Sequence, residues 1–319
     1  MAREWKWGVL FSGDNLTLAE TIDFARMAED AGAESLWTTE LGRDAFVPLA
    51  GMAARCARAR LGTGVAVFAR PPALTEISAM SMAELTEGRF VLGLGTAPPA
   101  WNENWHGLPY RRPVRRMREY VEAIRLMWTA SPASPIEYEG EIITIRDYRR
   151  VLAPPCAPPP VYLAAVQPAM LQLTGEVADG LLANLLNTPR YFTDIVHPNV
   201  DKGLARAGRT RADIELCSLK VCSVDRDRAR ARRRARGPIA FYSCLPYFDQ
   251  VLDPAGFTRE KLAIRDAWAR ADLAAMTDLV TDDMVDALVQ AGTPAHGPGQ
   301  LDRVEGVFEP LLLYSPMPI

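Results

Sequence analysis

Along the chain, short runs of apolar, β-branched and aromatic residues alternate with longer segments in which apolar positions recur every three to four residues, the pattern of parallel βαβ units. "WKWGVLF" (5–11) reads as a strand. "TLAETIDFARMAEDAGA" (17–33) reads as a helix with Leu18, Ile22, Ala25, Met27 and Ala28 on its apolar face and Gly32 closing its end. A strand at 33–39, a helix at 45–56, a strand over "RLGTGVAV" (60–67), a helix at 72–86 stopped by Gly88, and a strand at 89–95 follow. Further strands fall at 161–166, 180–184, 214–224 and 307–314. Helices are expected at 114–130, 168–178 and 189–207, then weakly patterned helical sequence to about 291. Eight strands in this alternation predict an α/β fold, a (β/α)8 TIM barrel rather than a doubly wound sheet. The barrel is expected as one domain over 1–319, with insertions at about 96–113, 135–160 and 240–275. Residues 135–151 alternate around Gly140 as a hairpin would, and 96–113 is too long and aromatic for a simple turn, so it reads as a functional loop.

One strand breaks the pattern. "RLGTGVAV" carries Gly62 and Gly64 inside an otherwise β-forming run, and an interior glycine marks either a bulge or a point where a ligand or another backbone comes close. The remaining composition narrows the ligand. A net charge of −3 argues against an electrostatic grip on nucleic acid or an anionic membrane surface, which leaves small molecules or other proteins as partners. Five scattered cysteines without a CxxC pair fit reduced thiols in a cytoplasmic protein. The N-terminus lacks a signal-peptide pattern, and no apolar run approaches the length of a spanning helix. The basic run "DRDRARARRRARG" (225–237) reads as a solvated helix face.

In a barrel, ligands bind at the C-terminal strand ends, so the chemistry is sought just after each strand. That places Glu40, Arg43 and Asp44 after the second strand; Gly95, Thr96, Asn102, Trp105 and His106 after the fourth; "AAVQP" after the fifth; and "DGLLAN" at the sixth. "GLG" at 93–95 lacks the third glycine and the following helix of a dinucleotide fingerprint. No HExxH, GxSxG, Walker-type or zinc-spaced cluster occurs, and with only three histidines no metal is expected. Small residues for backbone contact, few charges and two tryptophans in one long loop suggest a planar, hydrophobic ligand such as a flavin-like ring.

Four blocks, "AEDAGAESLWTTELGRDAFVPLA", "RLGTGVAVFARPPALTEISAMSMAELTEGRFVLGLGT", "RRPVRRMREYVEAIRLMW" and "PPPVYLAAVQPAMLQLTGEVADGLLAN", span most of 24–184. Together they make the chain similar to the luciferase-like monooxygenase superfamily, and within it to the oxidoreductases that depend on the deazaflavin coenzyme F420. The resemblance implies a barrel, usually a homodimer, holding the cofactor ring at its mouth. It implies a bulge with a non-prolyl cis peptide at Gly64–Val65, next to Thr63, against that ring. Contacts to the cofactor's phosphate-bearing tail would come from Ala164, Ala165, Val166 and Gln167 and from Gly180, Leu181 and Leu182. Gly95, Thr96 and Asn102 would flank the ring.

The departures bear on chemistry. Many relatives carry an aspartate followed by histidine after the second strand, where this chain has Glu40 and Leu41, so the catalytic histidine of sugar-phosphate and alcohol dehydrogenating members is absent. The resemblance therefore implies a reductase that passes hydride from reduced F420 to an activated C=C or C=N bond of a small-molecule or peptide substrate. Glu40, His106 and Asp44 are the candidate catalytic groups, Glu40 either as proton donor or, with Thr63, as a contact to the cofactor, and Trp101 and Trp105 are the candidate walls of the substrate pocket. For Glu40 the alternative is a salt bridge with a mouth arginine. A reduced-FMN monooxygenase and a non-catalytic flavin-binding protein are the competing readings. The segment 292–306 is shorter than the helix relatives place there, so a shortened C-terminal part is expected.

Overall fold

A computed structural model describes residues 6–12, 16–152, 156–295 and 310–315. Eight parallel strands close into a barrel: β1 (Trp7–Phe11), β2 (Ser35–Thr38), β3 (Arg60–Thr63), β4 (Phe90–Gly95), β5 (Val161–Ala164), β6 (Gly180–Leu182), β7 (Glu215–Val224) and β8 (Leu311–Tyr314). Neighbours in the ring follow chain order, and β8 pairs with both β7 and β1 to complete it. The expected TIM barrel is thus observed. Helix termini fall where capping chemistry puts them. Thr17 and Glu20 form a reciprocal capping box at the start of the helix Leu18–Asp30, and Gly32 turns the chain out of it at a φ of 98°. The helix Pro72–Leu85 begins on the Pro71–Pro72 pair.

Of the insertions, 135–151 forms the expected antiparallel hairpin, Ile136–Glu139 with Thr144–Tyr148. Buried Glu119, on the helix Pro113–Met127, accepts the backbone N–H groups of Glu141, Ile142 and Ile143 at the turn. The third insertion is helical, with Asp249–Leu252, Thr258–Ala269 and Leu273–Asp278 stacked beyond the helix Arg228–Ser243. The segment 96–113, expected as one long functional loop, carries a helix of its own. It contains the helix Pro99–His106, opened by Pro98 and Pro99 and closed by Gly107 in the left-handed conformation. The end of the shortened segment, 296–306, lies outside the described residues.

Inside the barrel, bulk on one strand is met by glycine on another. Trp37, fully buried on β2, lies in register beside Gly62 on β3, where a Cβ would come within 2.4 Å of the indole ring. The Tyr162 ring covers Gly180 in the same way, 6.0 Å from Trp37 between centroids. Gly62 is therefore a packing requirement of Trp37, the close approach of another side chain rather than of a ligand.

Candidate active site at the barrel mouth

All eight strands deliver residues to one cavity of about 690 Å³ at their C-terminal ends. Leu10 and Ser12 come from β1 and its end, Thr39 and Leu41 follow β2, Gly64 and Val65 follow β3, and Gly95 and Thr96 close β4. Ala164 to Gln167 end β5, Leu182 to Leu185 end β6, and Leu219 and Tyr314 come from β7 and β8. Such a volume suits a cofactor ring with a substrate beside it.

The floor is built at the break in the third strand. The peptide bond between Gly64 and Val65 is cis, and pairing resumes beyond it, where Ala66–Val67 joins β4. Residues 60–67 are thus two short pieces around a bulge, not one strand. The backbone of the bulge is tied to both neighbours. Gly64 N–H donates to Thr38 O at 2.7 Å, Glu40 N–H to Val65 O at 3.1 Å, and Phe68 N–H to Gly95 O at 3.0 Å.

Glu40 belongs to this framework. Its carboxylate accepts the Val67 N–H at 2.7 Å and pairs with Arg70 at 2.6 Å, and neither Glu40 nor Asp44 lines the cavity. Asp44 pairs with the same guanidinium at 2.8 Å and accepts the N–H groups of Phe46 and Val47. Burial pushes the Asp44 carboxyl up, but those N–H groups and Arg70 outweigh it and hold it below its ordinary range. Arg43, the arginine that follows β2 itself, turns instead to Leu16 O and Thr21 Oγ1. Both carboxylates proposed as catalysts are thus brought together on Arg70, behind the floor rather than above it.

Other expected site residues separate into two groups. Gly64, Val65, Gly95, Thr96, Trp101, Ala164, Ala165, Val166, Gln167 and Leu182 line the cavity. The rest do not. Thr63 is buried with its hydroxyl bonded to the Gly93 backbone, and buried Asn102 uses its amide nitrogen to hold Thr96 O and Pro98 O, so both pin the backbone that carries the lining residues. His106, at the C-terminal end of its helix, is exposed, and Trp105 stacks on the outer side of Trp101 at 4.6 Å while remaining 61 % exposed. Gly180 opens β6 beside Tyr162 and therefore lies at the opposite end of the barrel, near the Arg60–Glu215 pair. Leu181, next to it, is buried away from the cavity.

Several lining groups escaped the sequence. Ser12 donates to the Tyr314 hydroxyl at 3.0 Å, and the buried Thr39 Oγ1 has no protein partner. The Asn184 amide stands near the Tyr191 hydroxyl without a bond of ordinary geometry. A wall of Gly237, Pro238, Ala240, Phe241, Tyr242, Leu245, Tyr247 and Phe248 faces the mouth; its aromatic cluster "FYSCLPYF" was the available signal. The helix Pro168–Val177 starts at this cavity without a side-chain cap; Pro168 has no N–H and the Met170 and Leu171 N–H groups donate to Gln167 O, which leaves the Ala169 N–H and the positive end of the helix for an anion. Unpaired polar atoms, a glycine-lined floor and an uncapped helix start together fit a flavin-type ring with a phosphate-bearing tail. Among the described residues no group of three or more His, Cys, Asp or Glu is arranged to hold a metal, and no helix is long and apolar enough to cross a membrane.

Residues 6–307 match the family described as luciferase-like monooxygenase. A 5,10-methylenetetrahydromethanopterin reductase of Archaeoglobus fulgidus is 32 % identical over 298 residues, covering 91 % of this chain and 86 % of its own. Among solved structures, the coenzyme F420 dependent tetrahydromethanopterin reductase from Methanopyrus kandleri aligns with a TM-score of 0.85 at 24 % identity, over 98 % of this chain and 93 % of that one. An F420-dependent secondary alcohol dehydrogenase aligns with a TM-score of 0.78 at 18 % identity, over 99 % and 95 %. At these identities the two structures speak for the barrel alone.

Proposed function

The chain belongs to the luciferase-like monooxygenase family, and from that premise we propose that it is an F420-dependent oxidoreductase working as a reductase on an activated C=C or C=N bond. The observation that carries this reading is the floor: Gly64 and Val65 line the same cavity, with Gly95 beside them, as the start of the helix Pro168–Val177, which has no side-chain cap. When bound, reduced F420 supplies a hydride. The chain's own residues position the partners and exclude water. Gly64, Val65 and Gly95 offer backbone to the ring, and Ala165 to Gln167 lead the tail to the helix start. Leu41, where dehydrogenating relatives carry histidine, lines the cavity as an apolar group, which favours reduction over alcohol oxidation. The test is equilibrium binding of F420 and FMN to the purified protein, followed by oxidation of reduced F420 with unsaturated acceptors. Micromolar or tighter F420 binding is expected; binding of FMN with none of F420 overturns the reading in favour of oxygen chemistry.

The same reading includes a cytoplasmic homodimer. Three neighbouring helices, Leu18–Asp30, Phe46–Ala53 and Pro72–Leu85, expose Phe24, Met27, Val47, Leu74, Ile77 and Leu85. Light scattering should give twice the chain mass, and a monomer at micromolar concentration refutes it.

A further inference from the structure

The outer half of the cavity differs from its floor. It is enclosed by the helix Pro99–His106 on one side and by residues 237–277 on the other, segments that are described throughout. Its walls are Trp101, Phe241, Tyr242, Phe248, Trp268 and Met276, and among the described residues that line the whole cavity there is no Asp, Glu, Lys, Arg or His. This is sorting, not shortage. The wall-forming stretch carries many charged side chains, yet none of them lines the cavity, and four pair with one another. Lys261 holds Asp249 at 2.9 Å and Asp253 at 2.7 Å, while Arg265 holds Asp249 and the Ser243 and Leu245 carbonyls. Burial keeps the wall phenols neutral, with Tyr247 pushed up to about 12 and Tyr242 higher still.

The lip continues the same chemistry. Trp268 and Leu273 line the cavity while remaining 50 % and 52 % exposed, so apolar surface extends from the chamber to solvent. An isolated exposed leucine needs no explanation, but exposed apolar residues continuous with an apolar chamber mark an entry path. A charged ligand entering this chamber would lose water and find no counter-ion among the described lining residues, whereas an uncharged one loses little.

We propose that the outer chamber is the substrate site and that it selects an uncharged, apolar small molecule, an aromatic or alicyclic enone or imine, over any acceptor bearing a carboxylate, phosphate or ammonium group. This rests on the reductase reading, in which the floor holds the cofactor, but its test does not need turnover. The full chain is titrated with the neutral fluorophore N-phenyl-1-naphthylamine, and F420 binding is followed separately by the deazaflavin's own absorbance. Wild type should bind the fluorophore with micromolar Kd, unchanged between pH 6 and 9. The Leu273→Asp/Trp268→Ser double variant, altered at two half-exposed lip positions with Asp following the N-cap Asp272, should bind it at least tenfold more weakly while F420 affinity stays the same. Equal fluorophore affinity in variant and wild type overturns the proposal, as does no binding to wild type. If F420 fails to bind while the fluorophore behaves as expected, the cofactor reading falls and the apolar chamber stands.

Discussion

Removing the Glu40 carboxylate separates a framework role from a catalytic one. In Glu40→Ala two charge-assisted hydrogen bonds disappear, one to Val67 N–H at 2.7 Å and one to Arg70 at 2.6 Å. Each such bond contributes about 1.5–3 kcal/mol, and both partners here are largely buried, with side-chain exposures of 15 % and 17 % for the ion pair. The loss is less than their sum, because Asp44 still holds Arg70 at 2.8 Å and the guanidinium lies 5.0 Å over the Phe46 ring. A destabilisation of about 2–3 kcal/mol follows, with about 1 kcal/mol for Glu40→Gln, whose amide oxygen can still accept from Val67. Urea unfolding followed by circular dichroism measures it. F420 affinity, read by titration of its fluorescence, should fall about tenfold in the alanine variant, since 1.4 kcal/mol of lost floor positioning is a factor of ten. An alanine variant as stable as wild type refutes the clamp. A variant that loses stability but binds F420 unchanged shows that the floor is not where the ring lies.

Other consequences are equally direct. Gly62→Ala should destabilise by about 1–3 kcal/mol through overpacking against Trp37, while Gly64→Val should abolish F420 binding at smaller cost to the fold. At position 64 the new Cβ crowds the movable end of Leu10, at 2.7 Å, and meets Trp37 at the ordinary contact distance of 3.5 Å; equal effects on binding in the two variants would contradict the assignment. Trp101→Ala should weaken both the fluorophore and F420, and Trp105→Ala, which removes only the outer stacking partner, should change either by less than threefold; isothermal titration distinguishes them. Stability should also fall in acid. Burial raises Asp44, Glu29 and Glu119, but backbone N–H groups on each, aided by arginines, hold all three below their usual 3.8, 4.5 and 4.5. The unfolded chain therefore takes up protons first, so the urea midpoint should be level above about pH 5 and drop as pH falls through those lowered values; a midpoint unchanged at pH 3.5 would contradict it.

How far the sequence carries depends on whether a signal is local or set by register. Strand and helix alternation is local, so the barrel, the hairpin at 135–151 and the helix ends at Gly32 and Gly88 are all legible. Opposite ends of a strand are not distinguished by composition: Gly180 and Leu182 lie two residues apart, yet only Leu182 reaches the mouth. Carboxylates near strand ends look catalytic until their partners are known, and Arg70 is 30 residues from Glu40. Its position in "RPP" gives no sign that it folds back to the end of β2. The helix at 99–106 was recoverable from its Pro–Pro start and its glycine stop, but the aromatic spacing obscured it. Gly62 needed the Trp37–Gly62 register, which no single-strand pattern contains.

Positions 40 and 41 divide two tasks between adjacent residues. Glu40 faces back into the Arg70 framework and builds the floor, whereas Leu41 faces the cavity and contributes only its side chain. Framework and cavity contacts are therefore separated at adjacent sites on one short turn. On the reductase reading proposed above, the group at 41 could be exchanged, imidazole for isobutyl or the reverse, without disturbing the Glu40–Arg70 framework beside it.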